Sequence, residues 1–212
     1  MKNVIQRILI AVVCCATVSA EEPVDYSGPQ PGERLPRLEV VDAFDLDDEE
    51  PHDLVARIGE KPSILVVIHD ILSNKSDEPS LGLAYVLTHY AAARKNTGLV
   101  RNVVFLTDDL AATKAFLTKV RRALPKQATP IAISTDGLEG PGSWGFNRNL
   151  RMTIVISDEG RAVANFALQQ PSVNVDAPKI LKELVRVIGG DVPKLRDLDF
   201  PYYVGKPPTT GE

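Results

Sequence analysis

Two rhythms of apolar residues alternate along this chain. Residues 63–69 (SILVVIH), 102–106 (NVVFL) and 130–133 (PIAI) are short unbroken runs rich in Ile, Leu and Val. Runs of that length read as strands buried on both faces of a sheet. Between them the spacing turns helical. Leu83, Val86, Leu87 and Tyr90 share one face of a helix predicted over 79–93. Leu110, Leu117, Val120 and Leu124 share a face of the next, which Asp108 or Asp109 caps. Residues 54–58 give one or two helical turns closed by Gly59, and 38–41 a short first strand. Residues 152–156 and 162–168 are two strands joined at Ser157-Asp158-Glu159-Gly160, a hairpin signal. A last helix is expected to begin at an Asp176 cap with Pro178 in its first turn. Ile180, Leu181, Leu184, Val187 and Ile188 face inward, and Gly189-Gly190 stops it.

The predicted order is β-α-β-α-β-α-β, then a β-hairpin and a last α, which implies an α/β domain with a largely parallel sheet and an antiparallel hairpin at its edge. The helix-free stretches lie outside it. Residues 21–36 (EEPVDYSGPQPGERLP) are polar and rich in Pro and Gly, and are expected to form a loosely held arm. The Pro-rich tail from 191 to 212 is expected to be extended. The domain proper is then 37–190.

The first 20 residues follow another rule. Lys2 and Arg7 precede a short apolar run, and Val18-Ser19-Ala20 offers small residues at a cleavage position. This is the pattern of a secretory signal peptide, too short to span a bilayer. Cleavage after Ala20 predicts a periplasmic or extracellular protein with no membrane span. Both cysteines, Cys14 and Cys15, fall inside that signal. The processed chain has no thiol, although its compartment would permit disulfides. The signal carries two of the 24 basic residues and no acidic one, so 22 basic residues face 28 acidic ones afterwards. With no basic block left, nucleic acid is not an expected partner.

Several phrases together resemble the thioredoxin-like superfamily, and within it the redoxins, that is, secreted thiol–disulfide oxidoreductases and peroxiredoxins. They are GERLPRLEVVDAF, KPSILVVIHDILSNKSDEPSLGLAYVL, VRNVVFLTDD and WGFNRNLRMTIVISDEGRAVANF, spanning about Gly32 to Gly190. The resemblance implies a three-layer sandwich, a central mixed sheet with helices on both faces. It also places a Cys-x-x-Cys pair where a strand hands over to a helix. Here Ser73 and Ser76 stand at those positions. Thiol–disulfide exchange and peroxide reduction need a thiolate, which a serine hydroxyl cannot supply. Met152 stands where the family has its cis-proline, and a cis bond before a non-proline residue costs about 2.5–4 kcal/mol. Arg151 is similar to the arginine that holds the thiolate in peroxiredoxins.

The candidate site is therefore the neighbourhood of Ser73, Ser76, His69, Asp70, Arg151 and Met152. Either serine is suited to cap the following helix. Ser73 with His69 would also make a nucleophile and base. Asp70 reads either as a carboxylate beneath the site or as a solvated turn residue. Trp144 and Phe146, beside a Gly-rich loop, read as packing anchors or as a groove wall. His52, His69 and His89 lack metal-ligand spacing, so neither metal nor cofactor is expected. The first expectation is a non-catalytic module binding another exported protein or peptide. The alternative is an enzyme using non-thiol chemistry around Ser73, His69 and Arg151. Thiol oxidoreductase or peroxidase activity is not expected.

Overall fold

A computed structural model of the chain describes residues 25–44, 50–69, 71–72, 78–121 and 129–198. Seven strands form one sheet in the order β2-β1-β5-β4-β3-β6-β7. They are β1 (Glu39–Asp42), β2 (His52–Asp53), β3 (Ser63–His69), β4 (Val100–Leu106), β5 (Ile131–Ser134), β6 (Met152–Asp158) and β7 (Arg161–Leu168). The helices are α1 (Leu54–Ile58), α2 (Glu78–Ala92), α3 (Leu110–Val120) and α4 (Val173–Ile188).

β3 is the spine. All seven of its residues are buried, as its unbroken apolar run predicts. It pairs in parallel with β4 and antiparallel with β6. Alternation along the strands splits the core in two. Ile64, Val66 and Ile68 face the layer built by α2, α4 and Leu117 of α3. Leu65 and Val67 face the other layer, roofed by Leu54 and Ile58 of α1 and by Trp144 and Phe146. The mixed sheet between helices on both faces is the sandwich expected from sequence.

The helix ends follow local chemistry. Asp53 caps α1 by accepting from Val55 N and Ala56 N, and Gly59 closes it. Asp109, not Asp108, caps α3 through Ala112 N. α4 begins earlier than its apolar pattern suggests. Its N-cap is Ser172, and Asp176 lies inside the first turn with Oδ2 accepting from Ser172 N at 2.8 Å. The carboxylate thus satisfies the cap residue's N–H from within the first turn, which explains why an acidic residue reads as the cap itself.

Three further expectations are corrected. The first strand does not extend the parallel set, because β1 runs antiparallel to β5 and turns back onto the short β2. Leu110 does not join the buried face of α3 and is 37% exposed at the helix start. The segment before the domain is held from Ser27 onward. Gly32 N donates to Ala162 O at 2.8 Å, Ala162 N to Glu33 O at 2.9 Å and Leu35 N to Gly160 O at 3.0 Å. Asn165 Nδ2 donates to Ser27 O at 2.8 Å and to Pro29 O at 2.9 Å. The arm thus lies along the outer edge of β7, meeting backbone groups that a bare edge strand leaves open. Its Pro and Gly content suits an edge cover as well as a loose linker. Within the tail, Leu195–Asp197 forms a 3-10 turn, and residues 199–212 lie outside the described residues.

Gly28 shows how closely the arm sits. Its φ is +77°, and a Cβ there would lie 3.1 Å from Thr153 Cγ2. Gly28→Ala is expected to cost about 1–3 kcal/mol in urea unfolding, and to speed hydrogen exchange at Gly32 N. Unchanged stability and exchange would show that the arm is not docked in this way.

Candidate functional site

His69 ends β3 and is only 2% exposed. Register brings β6 beside it. Ile68 is opposite Met152, and His69 N donates to Arg151 O at 2.9 Å. His69 shares the face of Leu65 and Val67, and Thr153 shares the face of Val155. Both side chains therefore meet beneath Phe146, whose ring stands edge-on to His69 at 5.6 Å. Trp144 stacks on Phe146 at 5.2 Å and anchors itself by donating from Nε1 to Arg37 O at 3.1 Å. The two aromatics are packing anchors that also wall the histidine.

A chain of hydroxyl groups leads away from the ring. His69 Nε2 lies 3.0 Å from Thr153 Oγ1, which lies 2.6 Å from Ser27 Oγ. Ser27 Oγ accepts from Asn147 N at 3.0 Å. Ser27 Oγ keeps a second lone pair and its own proton, so either hydroxyl of the Ser27–Thr153 contact can donate, and the ring tautomer sets the direction of the last link. Nδ1 is buried with no partner of ordinary hydrogen-bond geometry. Burial pushes the His69 pKa down from 6.5 to about 4, with the Asn147 backbone opposing as the smaller cause.

Beside this buried chain lies an open cleft of about 360 Å³, lined by His69, Arg148, Asn149, Leu150, Arg151, Gln169 and Gln170. Its rim is mostly guanidinium and amide. Arg148 Nη1 bonds Glu139 Oε1 at 3.1 Å, an exposed pair worth little by itself. The end of β6 that carries Arg151 and the end of β7 that leads to Gln169 are fastened by Arg151 N donating to Leu168 O at 3.0 Å.

Of the residues singled out from sequence, His69 and Arg151 converge on this cleft. Met152 does not point there and is fully buried in the layer beneath α2 and α4. Asp70, Ser73 and Ser76 lie outside the described residues. His89 stacks on Tyr85 at 5.7 Å in α2, and His52 sits in β2. Among the described residues no peptide bond is cis, and no group of His, Asp or Glu is arranged to hold a metal ion. Sequence reasoning missed Ser27, Asn147 and Thr153. Thr153 was the legible one, a polar residue in phase with Val155 on a strand otherwise buried. Ser27 gave no signal, because its partner is 126 positions away.

No family model matches the sequence, and neither does any curated protein. Solved structures do resemble it. One is a provisionally assigned thiol:disulfide interchange protein, DsbE, from Chlorobium tepidum, with TM-score 0.55 and 13% identity over 77% of this chain and 99% of that one. Another is reduced Prx3 from Vibrio vulnificus in complex with hydrogen peroxide, with TM-score 0.51 and 18% identity over 73% of this chain and 98% of that one. At such identities the likeness is one of fold. The chain has the thioredoxin-like α/β fold of these structures, with the end of β3 beside the start of β6.

The buried histidine predicts a pH signature. Its folded pKa lies below its unfolded one, so between the two the unfolded chain binds more protons. Stability is then full above about pH 6.5 and falls as pH drops toward about 4. The loss amounts to about 3 kcal/mol. Urea unfolding of the parent protein should show it, and His69→Gln should flatten that part of the profile. Parallel profiles for the two proteins would refute a neutral, buried His69.

Proposed function

We propose that this protein is an exported thioredoxin-like binding module without thiol catalysis, and that the cleft beside His69 and Arg151 receives an extended peptide segment of another exported protein. The observation that carries this reading is the cleft itself, at the corner where the fold's redox chemistry is expected, in a chain whose only cysteines are Cys14 and Cys15. By the resemblance, Ser73 and Ser76 occupy the sequence positions of the redox pair and bring no sulfur.

The rim chemistry favours the peptide. Arg148, Arg151, Asn149, Gln169 and Gln170 offer N–H donors, which suit the carbonyl groups of an extended backbone and acidic side chains. The enzyme alternative, with Ser73 as nucleophile and His69 as base, has less support. His69 is buried, and its Nε2 already lies 3.0 Å from Thr153 Oγ1.

Two assays on the processed protein test this. Insulin reduction and peroxide consumption should both stay at background. An extended Glu-containing peptide labelled with a fluorophore should bind, and its Lys-containing counterpart should not. Arg148→Ala with Gln169→Ala should weaken binding by about tenfold. Thiol-type turnover, or equal binding of both peptides, would overturn the proposal.

A further inference from the structure

A second cleft lies on the α1 face of the sheet and is unconnected with the peptide reading. It holds about 150 Å³, and its walls include Leu54, Arg57 and Ile58 of α1, Ala132 of β5, Asn102 of β4 and Asp42 of β1. Asn102 is paired with Leu65 on β3, four residues before His69. At about 3.3 Å per residue, that is roughly 13 Å along the strand from the histidine.

Asn102 is out of place by every packing rule. It is 3% exposed and lies on the strand face that carries Val100 and Val104. Its Nδ2 is buried with no hydrogen-bond partner. A buried donor left unmet costs about 1–3 kcal/mol, and an apolar side chain in the same space would avoid that cost. At the mouth, Arg57 is exposed and makes no hydrogen bond or ion pair among the described residues. One cleft therefore presents two unused N–H donor groups, one at the floor and one at the rim. Leu54, Ile58 and Ala132 form apolar walls between them.

We infer that this cleft binds a small aliphatic monocarboxylate. The carboxylate oxygens take the Asn102 amide and the Arg57 guanidinium, a charge-assisted pairing. The aliphatic body lies against Leu54 and Ile58. The volume is well below the 300–1,000 Å³ or so of drug-sized pockets, which sets the ligand at the scale of a short branched acid.

The test titrates the full chain with 3-methylbutanoate and, as a match in shape, 3-methylbutan-1-ol. The readouts are the side-chain amide resonances of Asn102 and the methyl resonance of Ala132. The acid should give saturable shifts and bind about tenfold more tightly than the alcohol. Asn102→Leu should lose acid binding while its Tm stays level or rises, because it removes an unmet donor. Arg57→Gln, at an exposed position that leaves the core untouched, should weaken the acid by about fivefold and leave the alcohol unchanged. Should Asn102→Leu fail to fold, Arg57→Gln carries the test alone. The inference is overturned by the absence of saturable shifts, by equal affinity for acid and alcohol, by an Arg57→Gln variant that binds the acid as the parent does, or by a folded Asn102→Leu variant with lower Tm and unchanged binding.

Discussion

The structure depends on a strand with no face toward water. Every residue of β3 is buried, yet its first and last residues are polar. Both must find partners inside the protein, since burying a polar group unpaired is costly. Both find them on β6. Ser63 Oγ lies 2.6 Å from Ser157 Oγ at one end, and His69 Nε2 lies 3.0 Å from Thr153 Oγ1 at the other. These two side-chain bonds bracket the β3–β6 ladder. A slip of one residue would turn the apolar residues to the wrong layer and separate the polar pairs as well.

The second of those pairs recruits the arm. Thr153 has a hydroxyl on one side and the imidazole on the other, and the hydroxyl belongs to Ser27. From Ser27 the chain runs to Leu35 along β7, covering the edge that the hairpin would otherwise expose. Core satisfaction and edge protection are thus one structure. The cleft beside His69 inherits its shape from it. The cleft has His69 in its lining and Arg151 on its rim, and the arm holds the buried side of that histidine in place.

The sequence made the spine and the layers legible because they rest on local periodicity. β3 is found at the predicted residues, and the hairpin and Asp53-to-Gly59 helix appear where apolar spacing and turn chemistry put them. What could not be read was long-range. The composition of residues 21–36 is the same for a loose linker and for an edge cover, and only the partner at Thr153 decides between them. Asp176 was misread because its carboxylate serves the cap from within the helix. Of the site, Arg151 was legible through resemblance and His69 as a polar residue ending a buried apolar run. Asn102 was not, since its position in an apolar run gives no hint that its amide is left unmet.

The most direct test of this account is a double-mutant cycle between Ser27→Ala and Thr153→Val, read by urea unfolding at neutral pH. A hydroxyl chain that fastens the arm to the end of β3 predicts that the two losses overlap, with a coupling of about 1 kcal/mol. Strictly additive losses would mean that the arm and the buried strand end are held independently, and would contradict it.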